Sequence, residues 1–277
     1  MAYQYKPNSR MPFDIDGKLF FAVLIIFAFA FLALRYKVVV LEIDRAILTG
    51  EEKNAVLGAL DKIENDFFVK GVVLKINSNG ATADAGWEMY HRIAKLAGRM
   101  PVIAYIDSVG ASGGYLISLP AQYIYAKPAS EVGSIGAVAG LPQDVDTSGL
   151  VVSGPFKLQK TGEMVAEQVE IIKNEFLKTV VRHRGGKIKI EPLDLLTGEV
   201  YIGIKAKEIG LVDEFGSTSD AVARAADMAN LLFYATERIN PFQQEGSGLS
   251  VVKTGLIANS TTIPVYYHIY VNAGDIA

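Results

Sequence analysis

Short, continuous apolar strands alternate with helical segments along the first half of this 277-residue chain, and this alternation restricts the fold more than any other feature. Val38–Ile43, Gly71–Ile76 and Val102–Ile106 are rich in β-branched residues, which is typical of strands buried on both faces. Glu51–Phe67 and Asp84–Leu96 instead repeat their apolar residues every three or four positions, as amphipathic helices do. Because parallel strands need crossover connections that cover the sheet, the pattern predicts an α/β fold with parallel strands covered by helices.

Weaker patterns continue this organisation towards the carboxyl terminus. The further predicted elements are helices over Ser112–Leu119, Glu163–Arg184 and from Ser217 to about Leu232, strands over Gln122–Ala126 and Leu150–Val152, and a small strand and helix within Gly198–Gly216. From Asn240 the composition turns to Gln, Gly and Ser, which indicates a linker. Ile263–Val271 beyond it is a strand-like, aromatic tail that we expect to pack against its own domain or a neighbouring subunit.

An uncharged apolar run lies near the amino terminus, over Leu19–Leu34, with Lys18 and Arg35 on either side. At ~1.5 Å per residue the run is slightly short for a hydrocarbon core of ~30 Å, but the flanking basic side chains can reach the interface. A buried globular helix and a signal peptide cleaved at Ala28-Phe29-Ala30 are the alternatives. We favour an uncleaved transmembrane anchor over residues 19–35, because every face of the segment is apolar and Arg35 follows it directly.

This anchor divides the chain into a polar amino-terminal segment (1–18), the anchor (19–35), a folded domain (36–239) and a carboxyl-terminal linker and tail (240–277). Slightly more basic residues precede the anchor than follow it, which favours a cytoplasmic amino terminus. We therefore expect a single-pass protein of the cell membrane whose folded domain lies outside the cytoplasm.

Composition excludes several classes of site. The formal net charge is −3 and no block of like charge is present, which argues against a nucleic-acid partner. The chain has no cysteine, so disulfides, thiolate metal ligands and cysteine nucleophiles are excluded. The three histidines, His91, His183 and His268, are too widely spaced for a local metal-binding motif. We expect no metal site.

A candidate nucleophile lies where the third predicted strand meets the next helix. Ser112 is surrounded by Gly110, Gly113 and Gly114, which permit a sharp turn and the close approach of a substrate backbone. Backbone N–H groups at a helix start have no partner within the helix and can stabilise an oxyanion. A serine at a helix start is, however, more often a simple cap, and the residues alone leave both roles open.

A serine nucleophile needs a base, and the histidines are poor candidates for it. His91 falls on an amphipathic helix, His183 lies within Arg182-His183-Arg184 at a helix end that is typical of solvated charges, and His268 lies in the tail. A lysine can act instead when it is buried near the serine and loses its proton. Lys157 follows Pro155-Phe156, two residues that could desolvate its amine, although most single lysines are surface charges.

Six ordered motifs between Val38 and Leu232 resemble those of the signal peptide peptidase A family of membrane serine proteases. Each motif is short, and it is their order that makes the match specific. They comprise Lys75-Ile76-Asn77-Ser78-Asn79-Gly80-Ala81, Ala111-Ser112-Gly113-Gly114-Tyr115, Gln122–Lys127, Gly133-Ser134-Ile135-Gly136, Ser153-Gly154-Pro155-Phe156-Lys157, and the closing pair Gly198–Gly203 and Gly210–Gly216.

The resemblance implies the Clp-protease/crotonase fold of stacked β-β-α units and a serine endopeptidase with a serine–lysine dyad. Ser112 is then the nucleophile, Lys157 is the general base, and backbone N–H groups of Gly113 and of Gly80 or Ala81 form the oxyanion hole. Members of the family are homo-oligomers that cleave signal-peptide-like peptides at the lipid bilayer without a cofactor, and we expect the same of this chain.

The sequence departs from the family at places that bear on the site. Asn79-Gly80-Ala81 replaces a P-G-G loop, the stretch between Gly136 and Leu150 is short, and Lys160 is close enough to compete with Lys157. Three other interpretations stay open: an anchored protease that cuts a specific membrane protein, a catalytically inactive scaffold of the same fold, and a crotonase-like acyl-CoA enzyme. The anchor and the serine–lysine pair argue against the last of these.

Overall fold

The computed structural model describes residues 20–25, 27, 35–141, 149–154, 156–158 and 160–243. Within these residues eight strands form one sheet: β1 Lys37–Ile43, β2 Val69–Ser78, β3 Val102–Ala111, β4 Tyr123–Ala126, β5 Glu131–Gly133, β6 Val200–Ile202, β7 Glu214–Phe215 and β8 Ala235–Ile239. The helices that accompany them are α1 Gly50–Asn65, α2 Ala83–Ala97, α3 Gly113–Leu116, α4 Gly162–Arg184, α5 Gly203–Glu208 and α6 Thr218–Met228, with a 3-10 helix over Pro192–Thr197.

The sheet is parallel except at one edge. Its order is β6-β5-β3-β2-β1-β8, and β4 pairs with β3 and β7 beside this path. Strand β3 divides its pairing: residues 103–106 pair with β4, whereas residues 109–111 pair with β5. Only the β5–β6 pair among these strands is antiparallel. The parallel α/β arrangement predicted from the sequence is therefore confirmed, and it brings the carboxyl ends of β2 and β3 to the same edge.

Helices cover both faces of the sheet, so the central strands are buried on both sides. Val39, Leu41 and Ile43 of β1 face one apolar cluster together with residues of α1, α2 and α4. Val38 and Val40 face the other, which α6 covers. Gly71 lets α6 approach β2 closely, because a Cβ there would lie 3.3 Å from the Ala225 Cβ. This double burial explains why the strands appear in the sequence as continuous apolar runs.

Several predicted elements differ from those observed. Leu150–Val152 is not a strand; these residues are exposed and pair with no strand in the part of the chain that the structure describes. The helix predicted over Ser112–Leu119 is only four residues long, and the helix after Ser217 ends at Met228. Strands β5 and β8 were not predicted. β5 has three residues and β8 is largely exposed, so neither carries the apolar run by which a strand is recognised.

The predicted anchor falls mostly outside the described residues. Residues 20–25 are helical and exposed. No helix in the described ranges is both long enough and apolar enough to span a bilayer. The aromatic tail Ile263–Val271 lies outside the described residues altogether, as does His268.

Candidate active site

Ser112 is the junction between β3 and α3 and has an unusual backbone. Its torsion angles are φ 52° and ψ −123°, a region that L-residues rarely occupy and that costs about 1–3 kcal/mol. The Ser112 N–H donates to the Gly133 carbonyl at 2.8 Å, and its own carbonyl accepts from the N–H groups of Tyr115 and Leu116, both at 3.0 Å. Its side chain makes no capping hydrogen bond to α3. The serine is therefore not a simple helix cap, and the fold holds it in a strained turn.

Two glycines after Ser112 are required by contact with the loop that follows β2. A Cβ on Gly113 would lie 2.5 Å from the Ala81 nitrogen, and one on Gly114 would lie 2.4 Å from the Ser78 carbonyl oxygen. Both distances are shorter than real Cβ contacts, and both involve backbone atoms that cannot rotate away. The sequence analysis expected these glycines to admit a substrate backbone, whereas at these two positions they admit the chain's own loop.

That loop also brings the backbone of Ala81 beside Gly113. Ala81 bridges Ile47 in parallel fashion: the Ile47 N–H donates to the Gly80 carbonyl and the Thr82 N–H donates to the Ile47 carbonyl, both at 3.0 Å. A residue at the centre of such a bridge directs its own N–H to the opposite side, which here faces Gly113. The Gly80 N–H instead donates to Ser78 Oγ at 3.3 Å. Of the two predicted partners of Gly113, Ala81 is the better placed, while Gly80 contributes by leaving room: a Cβ there would lie 3.6 Å from Ser112 Oγ.

A pocket of about 180 Å³ opens beside Ser112 and Gly113. Its walls come from the loop after β2, from α2, from the segment after β5, and from the first half of α4. The side chains that line it are mostly apolar: Ala81, Trp87, Leu116, Val138, Val165, Val169, Ile172 and Phe176, with Gln168 as a polar member. The arrangement can hold an apolar side chain next to a hydroxyl group.

Neither candidate lysine lines this pocket. Lys157 is exposed, and no described residue accepts a hydrogen bond from its ammonium group. The preceding Phe156 is 57% exposed, so it does not bury the lysine amine as the sequence predicted, and Pro155 lies outside the described residues. Lys160 is also exposed, but its Nζ donates to Gln168 Oε1 at 2.8 Å, on the wall of the pocket. Within a single chain the structure thus brings Ser112, Gly113, Gly80 and Ala81 together, and Lys157 is not among the residues that line the pocket.

The histidines have other partners. The Tyr90 hydroxyl and His183 Nε2 are 2.8 Å apart. Burial, followed by the charges of Arg182 and Arg184, lowers the pKa of His183 and favours its neutral form. His91 is exposed and lies beside the Trp87 ring at 6.2 Å between centroids. Neither is among the residues that line the pocket.

A buried ion pair beneath the site was missed from the sequence. Arg184, assigned above to a solvated helix end, is 3% exposed, and Asp213 is 6% exposed. The Arg184 guanidinium donates to Asp213 at 2.8 Å and twice to the Gly210 carbonyl. Burial by itself raises the pKa of Asp213, but hydrogen bonds from Arg184 and Lys187 outweigh it and hold this pKa below its usual range. The sequence position of Arg184 does not indicate that it is buried, because helix ends rich in arginine are usually exposed.

The same segment supports the serine turn from below. The buried Tyr115 hydroxyl donates to the Leu211 carbonyl at 2.9 Å, and the Ile124 N–H donates to Asp213 at 2.8 Å. The motif Gly210–Gly216 therefore joins the end of α4, strand β4 and helix α3. None of its residues is among those that line the pocket.

Comparison with known proteins agrees with this architecture. The sequence profile of peptidase family S49 matches residues 94–144 and 157–232. A protein of Synechocystis sp. that bears a protease name is 30% identical over 214 residues, which cover 71% of this chain and 76% of that protein. The chain belongs to peptidase family S49. The predicted resemblance to signal peptide peptidase A proteases is thereby confirmed.

Two further comparisons extend the family assignment. A protein of Methanocaldococcus jannaschii, also named as a protease, is 32% identical over 63% of this chain and 61% of its own length. The 1510-N membrane-bound stomatin-specific protease, solved with a substrate peptide, superposes with a TM-score of 0.54 at 15% identity, covering 74% of this chain and 92% of that one. This chain thus has the mixed α/β fold of that protease. It spans about three fifths of the length of the Methanocaldococcus jannaschii protein.

Proposed function

We propose that this S49 chain is a membrane-anchored serine endopeptidase in which Ser112 attacks the peptide carbonyl. The observation that carries the proposal is the strained Ser112 turn, held at the rim of an apolar pocket with backbone N–H groups beside it. Backbone strain of this kind persists where the surrounding structure over-determines it, and it is concentrated at active sites. A purely structural serine would have no need of it.

The acylation step follows from the placement of these groups. Ser112 Oγ forms a bond to the substrate carbonyl carbon, and the carbonyl oxygen of the substrate becomes an oxyanion. The N–H groups of Gly113 and Ala81 stabilise that charge, which exists only in the tetrahedral state. The hydroxyl proton passes to a base, which gives it to the peptide nitrogen as the tetrahedral state collapses, the C–N bond breaks and the amine leaves. Water releases the acyl group from Ser112 by the reverse sequence.

Lys157 is the base in this proposal, in agreement with the family motif. In water a lysine is protonated at neutral pH, so it accepts a proton only in an apolar setting. The exposed side chains of Leu150, Val151, Phe156 and Leu158 surround it in sequence and leave apolar surface for a partner to cover. We propose that assembly of several copies, or the bound peptide itself, covers this segment and delivers Lys157 to Ser112.

The pocket favours peptides with apolar side chains, such as those of cleaved signal peptides. Its lining is formed by aliphatic and aromatic groups, and among the described lining residues none is charged. An acidic or basic side chain would be desolvated there without a partner, at a cost of several kcal/mol. The chain would act at the bilayer to which residues 19–35 attach it, with its folded domain outside the cytoplasm.

An inactive scaffold of the same fold is the second candidate, because Lys157 is exposed in the single chain and is not among the residues that line the pocket. A fluorophosphonate probe separates the two. We expect the probe to label the wild-type protein and the Lys160→Ala variant, and to label Ser112→Ala not at all. No labelling of a well-folded, assembled wild-type protein would establish the scaffold.

The base is tested by hydrolysis of an apolar peptide by the same set of variants. Lys157→Ala and Lys157→Arg should lose about 10³-fold or more in turnover, since a guanidinium keeps its proton. Lys160→Ala is the matched control and should keep most of the activity. If Lys160→Ala is inactive and Lys157→Arg retains turnover, the roles of the two lysines are the reverse of those proposed.

A further inference from the structure

The amino-terminal ends of four parallel strands meet at the edge of the sheet opposite Ser112. Lys37 of β1 pairs with Val69 of β2 and with Ala235 of β8, and Val102 of β3 pairs with Val72 of β2. The residues that precede these strands are therefore neighbours. We call this surface the amino edge and define it by residues 35–37, 67–70 and 232–235.

Exposed apolar groups are concentrated on the amino edge. Phe67 is 65% exposed and Leu232 is 90% exposed, and Phe233 and Tyr234 are also exposed. They come from two segments far apart in sequence that β1 brings together: the Lys37 N–H donates to the Phe68 carbonyl, and the Ala235 N–H donates to the Tyr36 carbonyl, both at 2.9 Å. Large aromatic side chains left exposed on one surface mark an interaction site.

Basic groups accompany these aromatic rings. Lys70 Nζ lies 4.2 Å from the centroid of the Phe67 ring and 5.1 Å from that of Tyr36, and Arg35 lies over Phe68. Asp66 and Glu237, carboxylates that border the amino edge, are both paired with Lys37. Lys70 forms no ion pair with any carboxylate in the described part of the chain. Aromatic rings with basic side chains beside them are the composition of a protein surface that sits at lipid headgroups.

The position of the chain identifies the partner. The apolar run ends at Leu34, and only Arg35 and Tyr36 separate it from Lys37 at the start of β1. Two extended residues reach about 7 Å, which is about the thickness of one headgroup layer. If residues 19–35 span the bilayer, the amino edge has no room to stand clear of its surface.

We propose that the amino edge is a second membrane contact: Phe67, Leu232 and Phe233 insert at the level of the headgroups, and Lys70 and Arg35 bind anionic lipid phosphates. This inference rests on the anchor of the proposed function and adds an orientation to it. The sheet stands on its amino edge, and the pocket faces away from the bilayer.

The test uses the full-length chain in vesicles of phosphatidylcholine and phosphatidylglycerol. Because the chain has no cysteine, single cysteines can be introduced by Phe67→Cys, Phe233→Cys and, as control, Val138→Cys, and each can carry a nitroxide. Val138 is 96% exposed and lines the pocket at the opposite edge. Collisions with oxygen, which dissolves in lipid, and with a water-soluble nickel chelate then report the depth of each label.

We expect labels at positions 67 and 233 to favour oxygen over the nickel chelate, and the label at 138 to favour the chelate. Lys70→Glu should shift the label at 233 towards the chelate in vesicles with phosphatidylglycerol and not in phosphatidylcholine alone. The matched control Lys178→Glu, an exposed lysine on α4, should shift nothing.

Three outcomes would overturn the proposal. Labels at 67 and 233 that resemble the one at 138 would place the amino edge in water. Labels shielded from both reagents would mean that a second copy of the chain covers it. Loss of the protein from vesicles in alkaline carbonate would overturn the anchor as well. Peptide hydrolysis by the Phe67→Cys variant in detergent measures the proposed protease activity independently of all three.

Discussion

Ser112 pairs a common side chain with a backbone that few residues other than glycine adopt. Its φ of 52° is stabilised by hydrogen bonds on both sides of the turn, from its own N–H and to its carbonyl. The turn aims the hydroxyl at the pocket, so strain and the proposed function share one residue. Removal of the Ser112 side chain should therefore affect stability and activity differently.

We expect Ser112→Gly to be more stable than Ser112→Ala by about 1 kcal/mol, because glycine relieves the strain at positive φ and loses only part of that gain to backbone entropy. Urea denaturation of both variants measures the difference. Ser108, in strand β3, supplies the control: there the glycine variant should be the less stable of the pair. Equal stability of the two Ser112 variants would mean that the turn is unstrained.

The tight turn at Ser112 was predictable from the sequence, whereas the surroundings of Lys157 were not. Glycines around a serine mark a tight turn, and Gly113 and Gly114 meet backbone atoms as such a pattern requires. The surroundings of Lys157 depend on the direction of Phe156 and on what covers it, and neither is encoded in adjacent residues. Arg184 shows the same limit, since only its tertiary contact with Asp213 explains why it is buried.

Among the elements, strands β1 to β3 were recognisable because both faces of each are buried and their apolar runs are unbroken. Strand β8 was not, because it joins the sheet through its backbone: the five residues of Ala235–Ile239 are mostly exposed and pair with β1 alone. Its place is set by the preceding helix α6, which packs on β2 and β3. Patterns of side chains cannot reveal a strand whose side chains are in water.

The ion pair between Arg184, at the end of α4, and Asp213, just before β7, makes the stability of the folded protein depend on pH. The pKa of Asp213 in the folded protein lies below the value of ~3.9 expected for an unfolded chain. Its contribution is therefore complete above about pH 4 and is lost as the pH falls through the folded-state value. We expect Asp213→Asn to be less stable than the wild type at pH 7 and to lose less stability on acidification. If both proteins lose stability to the same extent on acidification, other carboxylates are responsible for the acid sensitivity.

Replacing Arg184 should lower the stability of the folded protein more than replacing Arg182 on the same helix. Arg184→Leu leaves Asp213 buried with Lys187 as its remaining cation, so we expect a loss of about 3 kcal/mol, whereas the exposed Arg182→Leu should be nearly neutral. Thermal melting at neutral pH compares the two. A small effect of Arg184→Leu would mean that Lys187 and the Ile124 N–H satisfy the carboxylate without it.

At the scale of the whole molecule, the parallel sheet separates two surfaces of opposite character. The carboxyl ends of β2 and β3 carry the loops of the pocket, and the amino ends of β1, β2 and β8 carry the exposed aromatic residues. A parallel sheet makes this separation necessary, since all of its described strands except β6 run the same way. The apolar run at residues 19–34 was evident in the sequence, but the convergence of Phe67 with Phe233 required the strand register.

Strand β2 then has the role of a spacer of fixed length. In the proposed orientation its ten residues, at ~3.3 Å each, hold Ser112 about 30 Å from the bilayer surface. A substrate still embedded in the same bilayer must therefore carry about nine or ten extended residues between its membrane segment and the bond that is cut. Peptides tethered to vesicles through spacers of graded length should be cleaved only above this threshold, while free peptides of the same sequence should show no dependence on length. Equal cleavage at every spacer length would mean that the serine reaches the membrane surface by another route.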